Sequence, residues 1–277
     1  MKLIYENEFG TCVMAGGGNG GMRITELTGL SLPERNETCY TYAGVPGQTL
    51  GEVQLLPRTI TINMDIICDK TGMDIHRIAK IFSQPGRLTV SHKNLHRTIG
   101  CRCISFTKRE RSDALISAVV QLVADNPYFH DLQPVRSAIM QKEALLSSPF
   151  TLPCMVSSRK VEASVMVTGD APAEPVITIM GTSDSTLENP EIVIENETTG
   201  AKITLSYGLS QGEQLVIDIK NRTITSNKTE NMYPYLSRDT FLNQFTLPCG
   251  LSVVSCKTQE PIFATLCYEN NYAEAMY

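Results

Sequence analysis

Hydrophobic and polar positions alternate with period two along most of this chain. In residues 59–67 (TITINMDII), Ile60, Ile62, Met64 and Ile66 fall on one side and Thr59, Thr61, Asn63 and Asp65 on the other. That pattern predicts a half-buried strand. The period then changes. Thr71-Gly72-Met73-Asp74 offers Thr71 as an N-cap with an acid three residues on, and Ile75, Ile78, Ala79 and Phe82 follow at helical spacing until Pro85-Gly86. A single helix is expected there. Strand character resumes at 88–90 and 100–106. Residues 115–123 (LISAVVQLV) read as a further strand, although Ala118 and Gln121 leave a helix open. Residues 138–146 fit a short helix or an extended arm equally well.

After Pro153 the strands come in pairs. Residues 191–194 and 202–207 flank a turn at 196–200, with Ile203, Leu205 and Tyr207 on one face, and 215–219 and 223–225 flank Lys220-Asn221-Arg222. Short strands at such regular spacing predict a sandwich or a barrel. The change of texture places a domain boundary near residue 130, giving expected domains 1–130 and 131–277. No long internal repeat is present.

The length, 277 residues, suits two domains that each bury a core. A net charge of −5 argues against bulk electrostatic attraction to nucleic acid. Nine scattered cysteines fit a reducing compartment better than a disulfide framework. The first residues turn acidic before an apolar run develops, so no signal peptide is expected, and no apolar run is long enough to predict a membrane span. Tryptophan is absent.

Candidate chemistry is sparse. Gly16, Gly18 and Gly21 match the spacing of the G-x-G-x-x-G fingerprint, whose glycines work where they open a helix onto a phosphate. Here Met22-Arg23-Ile24-Thr25-Glu26-Leu27-Thr28-Gly29-Leu30 follows, a strand-and-turn composition, so the glycines read as a hairpin tip. His92, His96, Cys101 and Cys103 form the one cluster with metal-ligating types. Its C-x-C is not the C-x-x-C knuckle, and cysteine is also an ordinary small core residue. Neither a nucleophile elbow nor a P-loop occurs. Asp218 lies inside the apolar run Leu215-Val216-Ile217-Asp218-Ile219, either on its outward face or as a buried carboxylate. Lys108-Arg109-Glu110-Arg111 reads as a solvated turn, and Asn126-Pro127-Tyr128-Phe129 as a strand end with two anchoring aromatics. No catalytic, cofactor-binding or metal residue is assigned. The expectation is a structural or binding protein, not an enzyme.

Residues 24–131 resemble the N-terminal domain of the distal tail protein family of long-tailed phages. The resemblance rests on the stretch 24–30, on Leu56-Pro57-Arg58 leading into 59–67, on the helix 75–82 with Pro85-Gly86-Arg87-Leu88, and on Asn126-Pro127-Tyr128-Phe129. The second half is similar to the galectin-like domain such proteins carry, through Gly169-Asp170, Glu174-Pro175-Val176-Ile177, Gly181, Gly212-Glu213, Arg222 and Leu247-Pro248-Cys249-Gly250. Residues 132–150 match nothing in that pattern. The resemblance implies a mainly β chain: an N-terminal β-rich belt domain with one α-helix, then a galectin-like β-sandwich. It implies a virion protein at the distal end of the tail, assembled in the host cytoplasm. Six copies would close into a hub ring joining the tail tube to the tail-tip and receptor-binding or baseplate proteins, without nucleic acid, membrane or cofactor. The rival reading is a carbohydrate-binding module. Sugar sites favour aromatic platforms, and Tyr207, Tyr233 and Tyr235 are the residues available in place of tryptophan.

Overall fold

Alternating side chains build the first half strand by strand. The computed structural model describes residues 1–15, 21–67, 75–112, 115–144, 157–259 and 262–275. Its first elements are β1 (Lys2–Asn7), β2 (Gly10–Ala15), β3 (Met22–Thr28), β4 (Arg35–Tyr40), β5 (Thr49–Leu55) and β6 (Arg58–Ile67). Helix α1 (Ile75–Phe82) follows, then β7 (Gly86–His92), β8 (Leu95–Ser112), β9 (Leu115–Ala124) and β10 (Phe129–Asp131). The second half contributes β11 (Val135–Ala144), β12 (Ser157–Lys160), β13 (Glu162–Val167), β14 (Val176–Gly181), β15 (Ile192–Asn196) and β16 (Ala201–Leu205). It ends with β17 (Gln214–Asp218), β18 (Thr223–Ser226), β19 (Gly250–Thr258), β20 (Ile262–Tyr268) and β21 (Asn271–Tyr272). The chain is mainly β with one α-helix among the described residues, as the alternation predicts.

The chain divides into two compact units, Met1–Leu132 with Tyr272–Tyr277, and Gln133–Asn271. In the first unit the strands run β7-β1-β2-β3-β6-β9, and the long β8 pairs with both β7 and β9. That shared strand closes the sheet into a barrel, which removes most free edges. The alternation of β6 points Ile60, Ile62, Met64 and Ile66 inward, where they meet Leu3, Tyr5, Met14, Val120 and Leu122. Helix α1 adds Ile78, Ile81 and Phe82 to this core, with Phe82 stacked 4.9 Å from Tyr5 and 5.9 Å from Phe106. Its cap residues, 71–74, lie outside the described residues.

The second unit is a β-sandwich. One sheet has the order β12-β11-β20-β14-β17-β18 and the other β13-β19-β15-β16. Ile177, Ile179, Ile217 and Leu266 from the first meet Ile194, Ile203, Leu205 and Val254 from the second. The β15–β16 hairpin turns where expected, with Gly200 at φ +75° and its N–H donating to the Asn196 carbonyl at 2.8 Å. Within the span 138–146, residues 138–144 are strand and not helix, lying in β11, while 145–146 lie outside the described residues; 115–124 are strand as well.

Two expectations change. The first hairpin, β1–β2, turns at Glu8-Phe9, so the glycine run does not tip it. The run separates β2 from β3, which pair in parallel at Ala15 and Arg23, and residues 16–20 lie outside the described residues. The basic run is not a turn either. Lys108 and Arg109 lie in β8, paired with Ala118 and Ser117, because the strand continues as far as its partner β9 can match it.

Candidate functional site

Among the described residues, the sequence motifs do not come together in one place. After Gly21 comes strand β3, so the helix N-terminus that a pyrophosphate needs is not there. His92 and His96 sit at the β7–β8 turn, where His96 Nδ1 lies 3.0 Å from Ser91 Oγ. Cys101 and Cys103 lie further along β8, facing the core. Burial pushes the Cys101 thiol up to about 12 and raises that of Cys103, as expected of thiols packed against a core. Asp218 is half-buried and structural: its carboxylate accepts the Asn221 N–H at 2.9 Å and Asn221 Nδ2 at 2.7 Å, fastening the β17–β18 turn.

The buried carboxylate of this region is Glu213, which lies just before β17. Its Oε1 accepts from Tyr207 Oη at 2.8 Å and Ser226 Oγ at 2.7 Å, while Oε2 accepts the Ser210 N–H at 3.1 Å and lies 3.4 Å from Lys228 Nζ. Burial raises its pKa, but the donors outweigh burial and hold the carboxyl below its ordinary 4.5. The same contact, after burial, lifts Tyr207 to about 12. Two of the three candidate sugar-binding tyrosines engage their hydroxyls within the protein, Tyr207 with buried Glu213 and Tyr233, at the surface, with the Arg222 carbonyl. A depressed carboxylate contributes stability that is present above its unfolded pKa and lost as pH falls through the folded one. The sandwich is therefore expected to weaken from about pH 4.5 downwards, and Glu213→Gln to flatten that part of the slope in chemical denaturation at pH 3–7.

Two features of the first unit stand apart from ordinary packing. The first is an arm. β4 and β5 pair only with each other, and none of their side chains joins either core. Leu56 N–H closes the base onto the Glu34 carbonyl at 2.9 Å. Beyond that base, Tyr40, Tyr42, Val45, Leu50 and Val53 are between 45% and 62% exposed. A lone two-stranded ribbon is marginal in water, and apolar side chains left uncovered along it mark a contact surface.

The second is an arginine clamp. Strand parity puts Arg58 on the same inward face as Ile60, and its side chain is buried. Nε donates to the Pro127 carbonyl at 2.7 Å, Nη1 to Gly29 at 2.8 Å and also to Ser31, and Nη2 to Ala273 at 2.6 Å. The guanidinium lies 4.7 Å from the ring centre of Phe129, which is fully buried. Asn126 Oδ1 takes the Tyr128 N–H at 3.1 Å, so the Asn-Pro-Tyr-Phe stretch is a turn that delivers both the Pro127 carbonyl and the Phe129 ring. Gly29, at φ +88°, lies so close to β6 that a Cβ would stand 2.1 Å from the Thr59 carbonyl oxygen. Burial lowers the Arg58 pKa to about 10, offset in part by the Glu274 charge. Sequence reasoning noted Arg58 only as a lead-in to its strand and passed over the arm.

Residues 168–272 match the C-terminal domain of the siphovirus-type tail component. The second unit is thus similar to a phage tail domain. Apart from its last residue, Tyr272, the match lies within the sandwich. No curated protein matches the chain by sequence. Among solved structures, the chain resembles SPP1 Dit (gp 19.1), described as a paradigm of the hub adsorption apparatus in phages infecting Gram-positive hosts. The TM-score is 0.66 at 15% identity, over 90% of this chain and 93% of that one. It also resembles a chain of the phage P2 baseplate in its activated conformation with calcium, with a TM-score of 0.51 at 11% identity over 97% of both. The fold seen in SPP1 Dit therefore runs through both units, in agreement with the resemblance drawn from the residues.

Proposed function

We propose that this chain is a hub subunit at the distal end of the virion tail, in which six copies close into a ring. The ring joins the tail tube to the tail-tip and receptor-binding or baseplate proteins, and it assembles in the host cytoplasm. The role is mechanical and not enzymatic. The arm carries this reading. Because the first unit closes its own barrel, subunits have few sheet edges to share, and the uncovered β4–β5 ribbon supplies both edges and apolar side chains to a neighbour.

The solution mass by light scattering after size exclusion tests the ring. The expected species has six times the 30.5 kDa mass of one chain. A chain that stays at 30.5 kDa at every concentration removes the self-closing ring.

A further inference from the structure

We infer that residues 272–275 form a strap that completes the first unit, so that the buried arginines of its closed barrel gain their last acceptors only after the sandwich has been made. Topologically, Asn271 still belongs to the sandwich unit. Its carbonyl accepts the Asp170 N–H at 2.7 Å, and its Nδ2 donates to the Pro172 carbonyl at 2.6 Å. The next residue belongs to the first unit, with the whole sandwich lying between it and that unit's other strands in the sequence.

Chemically, the strap is seated and not merely near. Tyr272 lies with its ring 3.6 Å from the Arg97 guanidinium and its hydroxyl 3.3 Å from Asp131 Oδ2. Arg58 Nη2 donates to the Ala273 carbonyl, and Arg97 Nη1 to that of Glu274. The Ala275 N–H donates to the Leu30 carbonyl at 3.0 Å, and the Ala275 side chain is buried. Arg58 and Arg97 are each only 3% exposed. The strap supplies a backbone carbonyl to each guanidinium. Without it, two buried cations lose an acceptor each, and Arg97 also loses the ring beneath it. Two buried charges of the first unit thus each take one acceptor from residues that follow the sandwich in the sequence.

This strap sets an order of events. Residues 272–275 emerge in synthesis after the sandwich, so the first unit reaches its final form later than the order of its strands would suggest. If the ring proposed above forms through the first unit, then only chains made through the strap supply ring-competent subunits; this consequence rests on that reading, whereas the strap itself does not.

The test uses the full chain, a chain ending at Asn271, and full chains carrying Tyr272→Ala or Tyr272→Phe. Hydrogen exchange read by mass spectrometry separates the units. The expected result is exchange faster by about tenfold or more in peptides spanning β6, β8 and β10 for the shortened chain, with sandwich peptides unchanged. Tyr272→Ala follows it in part, while Tyr272→Phe, which keeps the ring on Arg97, stays close to the parent. A synthetic peptide covering residues 269–277 restores protection to the shortened chain, and a scrambled one does not. Unchanged protection of β6, β8 and β10 in the shortened chain overturns the strap. If the shortened chain does not fold at all, loss of protection confined to the first unit on Tyr272→Ala supports the strap, and its absence rejects it. Light scattering on the same samples decides the ordering. A full-length ring with a shortened-chain monomer supports it, and rings from both reject it. A full-length monomer overturns the ring reading and leaves the strap to the exchange data.

Discussion

Arg58→Ala is expected to lower the stability of the first unit by about 3–5 kcal/mol, a large effect for a single substitution. The carbonyls of Gly29, Ser31, Pro127 and Ala273 lose their donor at once. An unsatisfied buried acceptor costs about 1–3 kcal/mol. Summed naively, these losses would rival the stability of a whole domain, so the vacated space must take up water that meets some of them. Packing over Phe129 is lost as well. Arg58→Lys is expected to recover less than half of the effect, because an ammonium is a point charge and cannot serve carbonyls arranged around a planar fork. Arg58→Met separates the contributions. It restores part of the volume without any donor, so a loss close to that of alanine assigns the effect to the hydrogen bonds. Urea denaturation checks all three, with the sandwich transition as an internal reference that stays in place. A loss under about 1 kcal/mol for alanine would mean that the guanidinium is replaced by water without penalty.

Much of this clamp was open to a sequence reader, and the rest was not. The alternation that fixes Ile60, Ile62, Met64 and Ile66 on the buried face of β6 extends back to Arg58 without a break. On β8 the same parity puts Arg97 with Ile99 and Cys101. Arginine at an inward position is a signal, but residue type pulls the reading toward solvent. What the guanidiniums hold is harder to see, because backbone carbonyls look alike whichever residue carries them. The bond from Arg58 to Ala273 also spans 215 positions. The basic run in β8 shows a related limit. Whether Lys108 and Arg109 lie in a turn or a strand depends on the length of β9 opposite, not on the run itself. Glu213 enters the sequence reading only as part of the Gly212-Glu213 resemblance, and its role as a buried carboxylate is hidden for the converse reason. Asp218 stands inside an apolar run and draws attention, whereas Glu213 precedes one in Gly212-Glu213, where an acid usually belongs to a turn.

The arm was invisible for a different reason, and it carries the second large effect. Period-two alternation tells which side chains share a face but not what covers that face. Tyr40, Leu50 and Val53 therefore read like any other hairpin until burial shows them uncovered. Replacing residues 35–55 by a short glycine–serine turn between Glu34 and Leu56 is expected to abolish the proposed six-copy species and leave a monomer, lighter than 30.5 kDa by the excised segment. The ends of the excised segment already meet through the Leu56 N–H bond to Glu34, so the cut leaves the barrel register undisturbed. Neither core loses a side chain, and both denaturation transitions are expected to stay within about 1 kcal/mol of the parent. That pairing of results is what a contact surface predicts. A milder version, Leu50→Asp with Val53→Asp, puts two charges on the ribbon without shortening it. It is expected to weaken association at least tenfold, since each buried charge without a partner costs more than the factor of ten requires. If the excised chain still runs at the mass of a ring, subunits meet through another surface, and the exposed apolar side chains of the arm serve a contact other than the one proposed.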